Sequence, residues 1–550
     1  MAYAGRGNRD LAVSIILSAL CLPPVVAFIR EDCQATISQL LTDNPQFSSS
    51  YPQYFFGPDG ANTTSPIITL QGCRALCDDS LPKRWYPDVG QRYMAFLLPL
   101  VTLLFNMDVS PLDKAKYFEM LHLLGNPIGS IEAMLSKLKL WDCCARLDTS
   151  ELGILKFAED RTRVIGTVLA GIEDVLGPGW DALKALKALM AECLMSSSPL
   201  GLDQIDVLKE GHSRGQALEA VLRQAAHEIA DARTNDILRT WGGLLFYLLS
   251  VIAAFVTAVG GGNNSPPAGR IATALLLSWL IPSILLSNYV GGFVSRRAPF
   301  RIVKRMVAAI DRISDKSRRG SVARTEGELR RLRKLLRNPQ LLFQAQRWNG
   351  GSDLYRPDPV TAFDPRPRKW ALRALATTPI LISFTFGFPM LWEQPPYGLN
   401  CRSVFSVCIT GAWIISACLS WTAWYWSTRF KKEDAGRAYW IMTLGKDAVI
   451  GIVCLGLIFL SSAGLFNTCE CWSFELWYGD QAHVPLNVTS QFENLDNTTY
   501  TYLSSACLSA QVLSFIVMYL SLRKGVKLLR WSERAKMAEL GQHMPEIGEH

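Results

Sequence analysis

The chain has 550 residues, 49% of them apolar, with 16 Trp, 24 Phe and a formal net charge of +8. This composition excludes a disordered or fibrous protein, and the gathering of apolar residues into long uncharged runs makes lipid part of the solvent. The basic excess lies in loops beside those runs, as on the cytosolic side of a membrane protein, and no nucleic-acid partner is expected.

In chain order, 1–29 contains "NRDLAVSIILSALCLPPVVAF", with a basic start, an apolar core, a Pro-Pro break and small residues at Val25 and Ala27. It reads as a signal peptide cleaved after Ala27 or as a first transmembrane helix. Residues 30–92 form a Cys-containing extracellular or lumenal loop, and 93–107, with "YMAFLLPLVTLLFN", a short span. Residues 108–240 follow as a cytosolic helical region. In it "SPLDKAKYFEMLHLL" starts with a Ser110 cap and Pro111, and Asn126-Pro127 restarts the chain. Further helices are expected over 151–176, 180–194 and 216–239.

Two spans are expected in 241–294, then a basic cytosolic loop over 295–370. Between Ser295 and Lys369 it carries 20 Lys or Arg against 7 Asp or Glu, a net of +13. Two more spans fall in 371–427, a cytosolic loop in 428–446, a span in 447–466, a glycosylated lumenal loop in 467–501, a span in 502–521 and a basic cytosolic tail in 522–550. The fold class is therefore all-α and polytopic, with about eight spans, or seven if the first is cleaved.

Sidedness rests on basic loops, sequons and cysteines. Asn62, Asn487 and Asn497 begin Asn-x-Thr sequons in polar segments flanked by cysteines, which places those segments outside. Passing from Asn62 outside to the basic loop inside takes an odd number of crossings, and the two strong spans between them supply an even number. The parity argument assigns the third to 93–107. The six cysteines on the outer side, Cys33, Cys73, Cys77, Cys401, Cys469 and Cys471, are disulfide candidates with the pairing open, since six allow 15 connectivities. Localisation follows as a plasma or secretory-pathway membrane, with the C-terminus cytosolic and the N-terminus cytosolic unless cleaved.

The stretches "TLQGCRALCDD", "SPLDKAKYFEMLHLLGNPIGSIEAMLSKL" and "PPYGLNCRS" resemble recurring segments of a large family of polytopic integral membrane proteins from filamentous ascomycete fungi. The resemblance implies a fungal multi-pass protein and carries over no catalytic, cofactor or partner residues.

Signals for chemistry are few. "GHSRG", 211–215, matches the Gly-x-Ser-x-Gly elbow of serine hydrolases with Ser213 as nucleophile, but that elbow needs a strand before it and a returning His. "DQIDVLKE" is no strand, and a helix break with capping is the plainer reading. No Walker A loop, metal set or cofactor motif is present, so no catalytic residue, metal or cofactor is assigned. The charge-free runs inside these segments, Leu11–Ile29, Trp241–Val259, Ile271–Val294, Ala374–Trp392, Ser403–Trp426, Ala448–Phe466 and Tyr502–Leu520, hold no ionisable group. Asp447 falls at an edge beside Lys446, while Asn288 and Gln511 suit interhelical hydrogen bonds, which disfavours a coupled transporter.

Two regulatory features occupy the basic loop. "RRGSV" makes Ser321 a phosphorylation candidate. "GELRRLRKLLRNPQLLF", within 323–345, sets Leu329, Leu332 and Leu336 on one helical face among arginines. That face suits an anionic leaflet, a calmodulin-like protein or the neighbouring cytosolic helices. The expected function is a non-enzymatic membrane sensor or scaffold, with a transporter or channel for an uncharged solute as the alternative and a hydrolase using Ser213 more remote.

Overall fold

The computed structural model describes residues 30–57, 60–63, 66–77, 116–145, 159–176, 182–195, 204–232, 241–245, 247–249, 252, 267–290, 297–315, 327–337, 369–393, 398–429, 433–466, 468–473, 478–486, 497–523 and 525. Nearly all are helical. In chain order the elements are α1 (Arg30–Asp43), α2 (Phe47–Ser50), β1 (Ile67–Thr69), α3 (Leu70–Leu76), α4 (Lys116–Gly125), α5 (Pro127–Ala145), α6 (Glu159–Leu176), α7 (Ala182–Met195) and α8 (Gln204–Asp231). Then come α9 (Pro267–Leu276), α10 (Leu280–Val290), α11 (Arg297–Asp315), α12 (Gly327–Arg337), α13 (Lys369–Trp392), α14 (Cys401–Arg429), α15 (Glu433–Ala463), α16 (Cys469–Ser473), β2 (His483–Pro485) and α17 (Asn497–Ser521).

Five stretches are long and apolar enough to cross a bilayer: Ile271–Val290, Trp370–Trp392, Cys401–Ala423, Met442–Ala463 and Thr499–Ser521. They fit an integral membrane protein of all-α class. The first is buried on nearly every side and forms the axis of the bundle, whereas α15 and α17 expose Val449, Ile452, Val453, Leu513, Val517 and Leu520 as a lipid-facing surface would. Residues 1–29 and 93–107 lie outside the described residues.

At one end of the bundle sits a small cap with its own core, in which Ile37, Phe55, Ile68, Trp472, Val484 and Leu486 are buried. Strands β1 and β2 pair antiparallel, Ile68 opposite Val484, so two distant parts of the chain share one ladder. Thr69 caps α3 by accepting from the Gly72 amide at 3.1 Å. Gly72 itself lies against the Tyr54 backbone, where a Cβ would come within 2.2 Å of the carbonyl oxygen. Three disulfides, Cys33–Cys77, Cys73–Cys469 and Cys401–Cys471, tie the cap together and bind it to the first residue of α14.

At the opposite end, α6, α7, α8, α11 and α12 enclose a second core around Val168, Leu169, Leu186, Leu222, Ile229 and Val303. The Leu329, Leu332 and Leu336 face of α12 is buried in it, against α7 and α11. Arg333 fastens the contact, reaching Glu192 at 2.7 Å and Asp311 at 2.6 Å. Burial alone would lower the Arg333 pKa, but its hydrogen bonds to those two carboxylates outweigh burial and hold it above the ordinary value. Of the three partners the leucine face suits, the one it meets here is the neighbouring helical bundle.

The segment 108–240, expected as one helical region, is divided by its packing. Helices α6, α7 and α8 build the second core, but α4 and most of α5 pack among the apolar helices, with Leu123, Ile128, Ile131, Leu135 and Leu138 buried against Trp279, Ile380, Trp413 and Ile458. Mixed composition hides this: a helix enclosed by other helices on all sides needs no lipid-facing apolar stripe.

Candidate functional site

Helices α4 and α15 touch backbone to backbone. A Cβ on Gly125 would fall 1.8 Å from the Asp447 carbonyl oxygen, and one on Gly451 would fall 2.4 Å from that of Leu121. Only glycine permits such an approach, and this is how small residues bring helices together where apolar burial alone gives little drive. The seam also sets direction. Leu121 meets Gly451 and Gly125 meets Asp447, so α4 runs antiparallel to α15 and parallel to α14, away from the disulfide end.

The break between α4 and α5 follows from Asn126-Pro127. Proline has no amide hydrogen to continue the helix, and Asn126 caps the restart by accepting from the Gly129 amide at 2.9 Å. The Leu124 carbonyl at the break accepts from Trp413 Nε1 at 2.8 Å, and Asn126 donates to Ser420 Oγ at 3.0 Å.

One turn before the break, His122 is 1% exposed and its Nδ1 lies 2.7 Å from Oδ2 of Asp447, which is 0% exposed. The other carboxylate oxygen accepts from Ser416 Oγ at 2.8 Å and from Lys446 Nζ. Lys446 also donates to the Ser416 carbonyl at 2.9 Å. His122 Nε2 has no hydrogen-bond partner among the described residues. Two turns further, Glu132 accepts from Arg373 Nε at 3.3 Å and from Trp421 Nε1, and the Arg373 guanidinium lies 4.6 Å over the Trp421 ring. The expectation that the apolar helices hold no ionisable group is overturned. Asp447 reads as an edge residue because the charge-free run starts after it, yet α15 begins at Glu433 and α4 covers it.

A second polar cluster surrounds the turn between α9 and α10. Ser383 Oγ accepts from the Trp279 amide at 3.1 Å, and the two hydrogens of Gln511 Nε2 are shared among Ser278 Oγ at 3.0 Å, Ser383 Oγ at 2.9 Å and the Pro379 carbonyl at 2.9 Å. These bonds satisfy backbone groups around the broken axial helix, a condition that non-helical backbone must meet inside lipid. The rings of Trp279 and Trp413 meet edge to face at 5.6 Å, so the two helix breaks adjoin.

Asn62 is exposed on the cap and Asn497 opens α17, while Asn487 and Ser321 lie outside the described residues. The six cysteines assigned to the outer side occupy the three disulfides of the cap. Residues 211–215 lie inside the continuous helix α8 with no strand before them, so neither the helix break nor the strand-turn-helix setting of a nucleophile elbow is found. His227 is 14 residues along the same helix, about 21 Å of rise from Ser213. Among the described residues no three His, Cys, Asp or Glu side chains gather as a metal site would require. The sequence signals for the buried pair were present but weak, a lone His in an apolar helix and Lys446-Asp447 beside an apolar run. No family model matches this chain, and no match is found among curated proteins or solved structures.

Proposed function

We propose that this protein is a non-enzymatic membrane sensor or scaffold, with the disulfide cap on the outer side and the α6–α8, α11 and α12 unit in the cytosol. The observation that carries this reading is α5. Its Ile131, Met134, Leu135 and Leu138 belong to the core of the apolar bundle, and its Ala133 and Trp141 to that of the helical unit. A helix packed into two cores transmits a displacement of one to the other, because close-packed interiors do not deform continuously.

In this reading α4 and α5 together are the crossing that parity demands between Cys77 and the basic loop. Their 30 residues, 116–145, rise about 45 Å, enough for a core of about 30 Å. Glycans then sit on Asn62, Asn487 and Asn497. A Ser110→Cys variant tests the crossing, using a membrane-impermeant maleimide on intact cells. Labelling from outside is expected, whereas labelling only after permeabilisation returns the crossing to 93–107. Sensing itself is tested by hydrogen exchange in α6–α8 after a Gly125→Ala change at the α4–α15 seam. Unchanged protection of those helices would remove the case for coupling.

The buried His122–Asp447 pair favours a second reading as a transporter, since ionisable groups inside a bilayer commonly mark ion or proton pathways. Saturable solute flux in reconstituted vesicles would select it.

A further inference from the structure

We propose that His122 and Asp447 form a proton-binding site within the apolar bundle, at which His122 Nε2 takes up a proton and the Lys446 ammonium leaves the Asp447 carboxylate. This rests on the membrane placement of α4 proposed above, but not on whether the chain signals or transports.

The charges around the pair define the exchange. Helix α15 supplies Asp447 and Lys446, and α14 supplies the neutral Ser416. Helix α4 itself carries Glu119 three residues before His122, and Glu132 of α5 and Arg373 of α13 bond to each other. With neutral imidazole donating from Nδ1, one carboxylate and one ammonium balance. A proton arriving from water on Nε2 would place two cations on one buried carboxylate, and uncompensated charge in an apolar interior is costly.

Lys446 is the cation that can leave. Its side chain is 20% exposed, against 1% for His122, and its flexible stem lies one turn from Met442, where the apolar stretch begins. Imidazolium and carboxylate then remain as a neutral pair 2.7 Å apart. One proton enters as one ammonium withdraws, and the buried net charge stays at zero. A proton needs no cavity, which suits a site enclosed by touching backbones. The consequence is mechanical: Lys446 also holds the Ser416 carbonyl and hydroxyl, so its withdrawal removes the contacts by which it ties α15 to α14.

The test is nitrogen NMR of the full chain, labelled with 15N at its six histidines and held in lipid nanodiscs, with His122 assigned by its absence from His122→Gln. At high pH the neutral tautomer protonated on Nδ1 is expected, converting to imidazolium on acidification. Asp447→Asn should lower the midpoint and Lys446→Gln should raise it, each by about one pH unit or more. If Asp447→Asn does not fold, Lys446→Gln decides alone. A His122 signal that stays neutral to pH 5 in both the parent and Lys446→Gln, or a midpoint indifferent to the removal of Lys446, overturns the proposal. Such a failure would leave the Ser110 labelling result, and with it the proposed crossing, untouched.

Discussion

At the scale of single residues, the polar side chains divide by the water they retain. In the cap Arg74 reaches Glu470 at 2.8 Å with both side chains about half exposed, 49% and 42%, so solvent screens much of the attraction. Burial would raise the Glu470 carboxyl, but hydrogen bonds, first among them that from Arg74, outweigh it and hold the pKa below the ordinary value. A depressed carboxylate stabilises the fold above its unfolded pKa, near 4.3, and that contribution disappears as pH falls through the folded value. Arg74→Ala should therefore lower the melting temperature of the cap at neutral pH and have a smaller effect near about pH 3, where Glu470 approaches its protonated form. Equal effects at both pH values would show that Arg74 acts by packing alone. Asp447 has no such access to water. It is satisfied from three directions inside the bundle, and for that reason its partners carry the functional inference.

At the scale of elements, α12 shows how tertiary context selects among the uses of one amphipathic pattern. Its leucines at i, i+3 and i+7 and its surrounding arginines suit a membrane surface or a groove in another protein. In the fold the apolar face is consumed by α7 and α11, and Arg333 spends its charge on Glu192 and Asp311. Attraction to an anionic leaflet of about 1 kcal/mol per basic residue would have to exceed the burial of three leucines, each contributing about 1.5–3 kcal/mol. Leaflet binding by 323–345 in the intact protein thus requires undocking first. Arg333→Ala should loosen the dock without unfolding the chain, since removing one partner leaves Glu192 and Asp311 facing each other. The expected result is amide exchange in 327–337 faster by roughly tenfold, the equivalent of about 1.4 kcal/mol, with α13–α15 unchanged. Exchange at the parental rate would show that the leucines alone hold α12.

At the scale of the whole molecule, the cap is closed by residues far apart in the chain. Cys73 and Cys469 are 396 residues apart, and β1 pairs with β2 across a similar distance. A cross-link of this kind restricts the unfolded chain and typically contributes about 2–4 kcal/mol. Replacing both Cys73 and Cys469 with Ser should lower cap stability by that order while leaving the α4–α15 seam intact. The readout is hydrogen exchange, rising in α3 and at Val484 but not in α15. A loss of protection throughout the bundle would mean that cap and bundle unfold as one unit.

The sequence by itself determined the class, an all-α protein with helices long and apolar enough to cross a bilayer. Runs of about 20 apolar residues can be stable only as helices in lipid, because backbone polar groups there must be satisfied within the segment. Asn126-Pro127 marks its own break, and the six paired cysteines could be grouped, though not paired, from their positions. Only the tertiary structure decided that α4 and α5 lie among the apolar helices, that the leucines of α12 are occupied, and that Asp447 is buried with His122. Each depends on neighbours beyond the reach of a local pattern, with Asp447 325 residues from His122 and Arg333 141 residues from Glu192. The apolar stripe of α5, with Ile128, Ile131, Leu135 and Leu138, suits a soluble helical bundle as well as an apolar one, and a charge at the end of an apolar run is exposed or buried according to whether another backbone can approach it. Here Gly125 and Gly451 allow that approach, and two glycines 326 positions apart are a signal that no local pattern contains.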